Sequence, residues 1–422
     1  MSRVTESPRW EPRRRIPLVS LIGADGVSEV GNLLTAMAIP WLVLQTTGSA
    51  AQAGIAVAAG TVAILIGGFF GGVVVDRLGP KRASIVADLA SGVTVALIPL
   101  LQQTVGLAFW QLLVLVFLGA LLDTPGRTAR QSLIPSLAPL AGYRLERVNA
   151  TVMMVGRLAL LLTPPAAGIL IAVIGTTNVL WIDAATFAIS AAIIAVAIPA
   201  RAAAPATAEV GKEPTGYLEE IRVGLRFLRQ DRLLFWLVLS FSLGNLIAEP
   251  VYSLILPVYA NEVFNDPVAL GVMFSALAAG SLLGNVLFLA LAARLPRRAT
   301  ILTGFTVRAL TFWALPTMPP LPVIAGSIVV NATFLEPANP IVRTVYQERI
   351  PEQLRGRVFG TMYSLSAGAR SLGIILYGLL LQELGLQTTL IVLAVANVLV
   401  PLIMFVIPAY KELDALPAAA QS

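Results

Sequence analysis

Two carboxylates, Asp25 and Glu29, lie four residues apart near the start of a long apolar run. A spacing of four places both side chains on one face of a helix. Because burial and a neighbouring carboxylate both favour the protonated form, at least one of the two should hold its proton near neutral pH. A group that binds and releases a proton inside a bilayer could couple transport to a proton gradient. The alternative is an ion pair for one carboxylate and water for the other.

Arginines within two other apolar runs are the candidate partners of these carboxylates. Arg157 and Arg370 follow the matched pair Arg147 and Arg357 by 10 and 13 residues, which puts them on similar helix faces. We predict that they are switching partners for the acidic pair. A fixed ion pair that only holds helices together is the alternative.

Composition narrows the class of protein before any fold is considered. The 422 residues are 57% hydrophobic and 12% charged, as expected for a polytopic membrane protein. Cysteine and histidine are absent, so a proton carrier within the membrane must be Asp or Glu, and we expect no metal site and no cofactor. The net charge of +6 lies mostly in short loops, which indicates membrane topology rather than nucleic-acid binding.

The elements that must hold these residues are membrane-spanning helices of about 20 residues. Apolar runs predict twelve spans, at about 17–44, 52–75, 83–102, 105–124, 149–173, 177–199, 233–257, 268–292, 299–317, 320–341, 358–381 and 386–408.

The chain repeats itself at a period of about half its length. A shift of 216 residues lays the segment 127–135 on 343–351 with five of nine positions identical, and a shift of 217 lays Pro40 on Pro257. Six spans in each half make the repeat parallel. The predicted fold is therefore an all-α membrane protein with two six-helix halves. The predicted segments are a tail at 1–16, halves at 17–199 and 233–409, a linker at 200–232 and a tail at 410–422.

Loop charge predicts the orientation of the chain. The odd-numbered loops contain no Lys or Arg, so the positive-inside rule places both termini in the cytoplasm. The linker opens with a segment rich in Ala and Pro, and then places Tyr217, Ile221, Leu225 and Leu228 on one helical face. We interpret this segment as an amphipathic helix on the inner membrane surface.

The turn between the second and third spans reads Gly72-Val-Val-Val-Asp76-Arg77-Leu-Gly79-Pro-Lys81-Arg82. It resembles the signature of the major facilitator superfamily. Three further segments resemble the Tap-type multidrug efflux pumps for tetracycline and aminoglycosides, relatives of the macrolide-efflux and enterobactin-export transporters. They are Gly-Ala-Asp25-Gly-Val-Ser28, Ala-Gly-Tyr143-Arg-Leu-Glu-Arg147-Val-Asn149 and Leu354-Arg-Gly-Arg357-Val.

This resemblance implies a bacterial inner-membrane drug:H⁺ antiporter that works by alternating access, with spans 1, 4, 7 and 10 and spans 2, 5, 8 and 11 lining a central cavity. The nearest match to the arginine that many drug pumps carry inside span 4 is Arg127, which the predicted bounds place at the end of that span. By the same bounds Asp123 and Glu336 are helix-end charges, although Glu336 could also contact substrate. Asp88, Asp183 and Arg308 fall in support helices, where a structural role is expected.

The implied layout also gives candidate substrate and gate residues. Substrate candidates are the residues of cavity-lining spans that could meet an amphipathic cargo: Met153, Phe241, Glu249, Tyr252, Phe334, Glu336 and Tyr363. Candidates for a cytoplasmic gate are the signature turn together with the nearby arginines, Arg127, Arg130, Arg355 and Arg357. Core packing is the alternative role for each aromatic or apolar candidate.

The predicted function is export of amphipathic, often cationic, drugs or antibiotics in exchange for protons. The partners are the small-molecule substrate, protons and the lipid bilayer, and we expect a monomer. Export of a native metabolite, such as a siderophore or a lysolipid, is the alternative that the fold cannot separate. A membrane enzyme would need a catalytic constellation, and a receptor a sizeable extra domain. Neither is evident, nor is a phosphate-binding loop for ATP hydrolysis.

Overall fold

A computed structural model describes residues 15–199, 217–291, 294–351 and 354–414. These parts of the chain consist of helices joined by short connections. The helices of the N-terminal half are α1 (Ile16–Thr47), α2 (Ala50–Leu78), α3 (Pro80–Thr104), α4 (Phe109–Leu140), α5 (Leu145–Ile174) and α6 (Thr176–Ala197). The linker helix α7 (Tyr217–Gln230) precedes the C-terminal half, whose helices are α8 (Arg232–Pro250), α9 (Leu256–Tyr259), α10 (Pro267–Leu291), α11 (Arg297–Phe312), α12 (Leu321–Leu335), α13 (Ala338–Arg349) and α14 (Arg355–Val406).

Local sequence explains the tight turns between the long helices. Gly48 adopts φ 65° after α1, and Ser49 then accepts a hydrogen bond from the Gln52 amide at 3.2 Å to cap α2. Gly79 has φ 76° and precedes Pro80, the first residue of α3. Glycine tolerates the positive φ, and proline is favoured in the first helical turn. Each connection is therefore short enough to keep successive spans antiparallel.

The seventh span is one bent helix made of α8, α9 and two π-helical segments, Val251–Ile255 and Ala260–Phe264. The first π segment follows Pro250 directly. Proline removes one backbone donor and clashes with the preceding turn, which bends a helix. Glu249 lies at this bend.

Ten helices among the described residues are long and apolar enough to cross a membrane. The last of them, Arg357–Val406, is broken at Gly385 with φ 74° and ψ 173°, so it provides two spans. The 16-residue helix α11 is a shorter additional span. With both counted, each half contributes six spanning helices, and the predicted fold class is confirmed.

The two halves meet at the end of the bundle that carries the odd-numbered loops. Ser49 Oγ donates to Gln382 Oε1 at 2.8 Å. A Cβ on Gly54 would lie 3.2 Å from Gly378 Cα, and one on Gly168 would lie 3.2 Å from Gly271 Cα. Glycine therefore allows backbone contact between α2 and α14 and between α5 and α10. We call this side the closed end. The opposite side, with the even-numbered loops, exposes Asp76, Arg77 and Arg82 between α2 and α3, and we call it the open end.

The linker helix α7 packs against the C-terminal half, and its position on the inner membrane surface stays a prediction. Leu228 is 1% exposed within the main core. A Cβ on Gly224 would come within 2.9 Å of the Arg357 carbonyl oxygen and closer still to Thr361 in α14. The side chains of Tyr217 and Ile221 lie outside the described part. The apolar face predicted for this helix therefore turns, where it can be described, towards the C-terminal half.

Candidate functional site

A buried arginine joins four helices of the N-terminal half. Arg130, in α4, is 2% exposed. Its Nε donates to Asp25 Oδ1 of α1 at 2.8 Å, and its Nη1 donates to Asp88 Oδ1 of α3 at 2.6 Å. Its Nη2 lies 3.3 Å from Ser28 Oγ, and Ser190 of α6 donates to Asp88 Oδ2 at 2.7 Å. We call these five residues the Arg130 network.

A second, more exposed pair lies one helical turn away along α4. Arg127 Nη2 is 3.2 Å from Glu29 Oε2, and the two side chains are 46% and 34% exposed. Asp123 lies between the two arginines, with a carboxylate oxygen 3.8 Å from each. It also accepts from Asn32 Nδ2 at 3.3 Å. Four carboxylates therefore share two guanidinium groups in this region.

The helix α4 is longer than predicted, and this explains why Asp123 and Arg127 were expected at a helix end. The prediction ended the fourth span near residue 124, where the apolar run ends. The helix instead continues to Leu140. Asp123 and Arg127 are thus in mid-helix, and the expectation that both are helix-end charges is wrong.

The partners expected for the acidic pair are elsewhere. Arg157 forms no ion pair within the described part of the chain, and it lines the cavity wall from α5. Arg370 Nε lies 3.7 Å from Glu249 Oε1, within the C-terminal half. Asp25 and Glu29 pair with Arg130 and Arg127 because α4 packs beside α1 and presents both guanidinium groups to it.

A central cavity with two adjoining lobes lies between the halves. The smaller lobe has a volume of about 410 Å³ and includes Asn32, Asp123, Arg127 and Glu249 in its wall. The larger has a volume of about 590 Å³ and is lined from α5, α10 and α12. Leu160, Tyr252 and Phe274 line both lobes. Volumes of this size suit small-molecule ligands, and an apolar wall with a few polar groups is typical of such sites.

The structure separates the substrate candidates into two groups. Glu249 and Tyr252 line the smaller lobe, and Glu336 lines the larger one, where it accepts from Ser281 Oγ at 2.9 Å. Phe241 instead packs edge-to-face on Phe305 at 5.2 Å between ring centroids. Three further candidates are exposed and are not found in the walls of the cavity as described: Met153, Phe334 and Tyr363.

Comparison with known proteins identifies the family. The family model of the Major Facilitator Superfamily matches residues 26–373 and 251–421. The chain belongs to the major facilitator superfamily. The transporter NupG, a nucleoside transporter, superposes with a TM-score of 0.75 at 12% identity over 92% of this chain and 99% of NupG.

Two relatives from this superfamily match nearly the full length. The multidrug efflux pump Tap of Mycolicibacterium fortuitum is 34% identical over 404 residues, which are 95% of this chain and 98% of Tap. The Tap pump of Mycobacterium tuberculosis strain H37Rv is 35% identical over 408 residues, 96% of each chain. The predicted resemblance is confirmed, and the chain is a multi-pass membrane transporter rather than an enzyme.

The superfamily's signature turn lies unpaired at the open end. Asp76, Arg77 and Arg82 are exposed, and no ion pair joins them to another described residue. A Cβ on Gly72 would meet open space. Lys81 has a separate task, since its Nζ donates to the Ala195 carbonyl oxygen at 2.8 Å and so caps the end of α6.

The arginines assigned to the gate are also apart from the signature turn in this state. Arg127 and Arg130 face the acidic residues of the N-terminal half. Arg357 is half-buried at the start of α14, and the side chain of Arg355 lies outside the described part. The gate role stays a prediction, because it concerns the state in which the open end has closed.

Sequence reasoning missed the uncharged polar residues of the cavity. Asn32 and Thr35 line the smaller lobe, and Ser281, Asn285 and Asn331 line the larger. The sequence spacing could have identified Asn32. Asp25, Glu29 and Asn32 follow one another at steps of four and three, which is the period of a single helix face.

Proposed function

We propose that this transporter exports amphipathic drugs, including cationic ones, in exchange for protons. The full-length likeness to pumps named for multidrug efflux supports the cargo class. The observation that carries the proton coupling is the shortage of cations in the cluster between α1, α3 and α4, where four carboxylates share two guanidinium groups. Charge balance in a low-dielectric site then favours protons on some of these carboxylates.

Exposure assigns different roles to the two arginines. Arg130 is 3% exposed at its side chain and holds two carboxylates, so it stays in place as an anchor. The Arg127–Glu29 pair borders the cavity and is partly hydrated. Protonation of Glu29 would release Arg127, and loss of that proton would restore the pair. Arg127 thus replaces Arg157 and Arg370 as the proposed switching partner.

The proposed cycle uses one change of access. From the open end a drug enters the cavity, and protons leave Glu29 or Asp25 to the water on that side. The halves then rock, the closed end opens and the drug departs. Protons from the far side bind the same carboxylates before the halves return. Glu249, Tyr252 and Glu336 contact the cargo from the C-terminal half, and the signature turn secures the open end when it shuts.

A proteoliposome assay tests the coupling. We expect the variant carrying Asp25→Asn and Glu29→Gln to lose drug transport driven by a pH gradient, because neither amide can exchange a proton. The matched control is Glu383→Gln, which alters an exposed carboxylate at the closed end. Gradient-driven transport that survives in the double variant would show that the protons bind elsewhere.

We also propose that the open end faces the cytoplasm of a bacterial cell, with both termini on that side. The distribution of Lys and Arg among the loops supports this orientation. The chain has no cysteine, so single replacements can be labelled without background. We expect a membrane-impermeant maleimide to label Gln382→Cys in intact cells, and to label Arg82→Cys and Arg298→Cys only after permeabilisation. Labelling of Arg82→Cys and Arg298→Cys on opposite sides would contradict the parallel repeat.

A single chain provides both lobes of the cavity and the whole carboxylate cluster. We therefore propose that the monomer is the functional unit. The transporter reconstituted at one copy per vesicle should retain its transport per molecule.

A further inference from the structure

Asp183 is a buried carboxyl in α6 that the cycle above does not use. Its residue is 0% exposed. It stands in the wall of the smaller lobe together with Thr35 of α1. The Thr35 hydroxyl donates to Asp183 Oδ2. Thr186 Oγ1 lies 3.1 Å from Asp183 Oδ1, but it is closer, at 2.8 Å, to the Asp183 carbonyl oxygen one turn back along α6.

No cation balances Asp183. The charged side chains described on α1 and on α3 to α5 are, by helix, Asp25 and Glu29 in α1; Lys81, Arg82 and Asp88 in α3; Asp123, Arg127 and Arg130 in α4; Arg147 and Arg157 in α5. Within the described residues none of these forms an ion pair with Asp183. Another carboxylate, Asp123, stands in the wall of the same lobe, and a neighbouring carboxylate disfavours a second negative charge.

Asp88, a carboxylate of the same half, has the hydrogen-bond donors that can stabilise a negative charge. It is equally buried, but a guanidinium nitrogen donates to it at 2.6 Å and Ser190 donates at 2.7 Å. Asp183 has only hydroxyl donors, one of which is already shared with a backbone carbonyl. An isolated carboxylate in such surroundings takes up a proton instead of remaining charged.

The packing leaves little room for a counter-ion between α1 and α6. A Cβ on Gly31 would clash with Asp183 Oδ1 and with Thr186 Oγ1. A cation therefore cannot approach the Asp183 carboxylate from the side of Gly31. A charge can act on Asp183 only from the cavity side, where Thr35 lies. There a protonated Asp183 can donate its O–H to Thr35 Oγ1.

We infer that Asp183 is a second proton-exchange site, which a cationic substrate discharges when it occupies the smaller lobe. A positive charge beside Thr35 favours ionised Asp183, and the released proton passes to water in the cavity. The Thr35–Asp183 hydrogen bond then reverses, so that the threonine hydroxyl donates to the carboxylate. An uncharged substrate lacks this effect. The inference rests on the proposed proton coupling and extends it to the recognition of cationic cargo.

Infrared difference spectroscopy of the full-length protein tests the protonation state. We expect the wild type at neutral pH to show a protonated-carboxyl C=O band that is missing in Asp183→Asn. Tetraphenylphosphonium should weaken the band, and uncharged chloramphenicol should not. The matched control is Asp266→Asn, since Asp266 is an exposed residue outside the cavity. A spectrum without the Asp183 band, or a band that ignores tetraphenylphosphonium, overturns the inference. Thermal unfolding of the variant establishes that it is folded.

Transport assays with the same proteins distinguish a failure of the role inferred for Asp183 from a failure of the proposed proton coupling. Asp183→Asn should lose gradient-driven uptake of tetraphenylphosphonium to a greater extent than that of chloramphenicol. Equal uptake by wild type and Asp183→Asn rejects the role of Asp183 alone. A wild type that does not respond to a pH gradient rejects the proposed coupling itself, whatever the spectra show.

Discussion

Oxidation of a variant with Ala51→Cys and Gly378→Cys is expected to abolish transport, and reduction should restore it. A Cβ on Gly378 would lie 3.6 Å from Ala51 Cα, so the two Cα atoms are no more than about 5 Å apart, within reach of a disulfide. The bond would tie α2 to α14 at the closed end. Because the cargo must leave through that end in an alternating-access cycle, the cross-linked protein can bind drug but cannot release it on the far side.

The absence of native cysteine makes this experiment clean. Each single-cysteine variant serves as a control and should transport normally in oxidant. Drug binding to the oxidised double variant, measured at equilibrium, should persist because the cavity stays open at its other end. Full transport by a quantitatively cross-linked protein would mean that the closed end never opens, and alternating access between the halves would be wrong.

The spans, their number per half and the parallel repeat were predictable because each depends on local composition. An apolar run of sufficient length has no stable alternative to a helix in a bilayer. The short turns were also predictable, since Gly48 and Gly79 tolerate a positive φ and Ser49 has a side chain that can cap a helix. Helix ends next to proline were less predictable. The apolar run of span 4 ends near residue 124, but α4 continues through Pro125 to Leu140.

The ion pairs were not predictable, because they depend on how the helices turn about their axes. Sequence spacing correctly put Asp25 and Glu29 on one face, but it could not say which helix that face meets. Arg130 had been assigned to the gate because it lies near the predicted end of a span. Its burial between α1 and α3 follows from tertiary packing alone.

The internal repeat shows which residues of the C-terminal half correspond to the charge cluster of the N-terminal half. Under the shift of 216 residues Arg130 corresponds to Tyr346. That tyrosine packs with Phe359 at 6.5 Å between ring centroids. Under the shift of 217 Asp25 corresponds to Ser242. The C-terminal half thus has no counterpart of Arg130 or Asp25 at these positions.

The second large effect should come from removing the anchor of that network. We expect Arg130→Ala to destabilise the N-terminal half by about 3–5 kcal/mol, because Asp88 would be left buried without a cation and the partly exposed Asp25 would lose its partner. Thermal unfolding of the purified protein in detergent measures the loss. Arg127→Ala is the matched control on the same helix, and its partly exposed pair with Glu29 should contribute about 0–1 kcal/mol.

A charge-removal series distinguishes electrostatics from lost packing at Arg130. If unpaired carboxylates cause the damage, adding Asp88→Asn to Arg130→Ala should recover part of the stability, although Asp88→Asn alone destabilises the wild type. The coupling should be strongest for Asp88, which is 0% exposed, and weaker for Asp25, which is 30% exposed and can reach water. Additive losses in the double variant would mean that Arg130 acts through its volume. The ion pairs of Arg130 would then not be what stabilises this half, and the division between Arg130 as anchor and Arg127 as switch would fail.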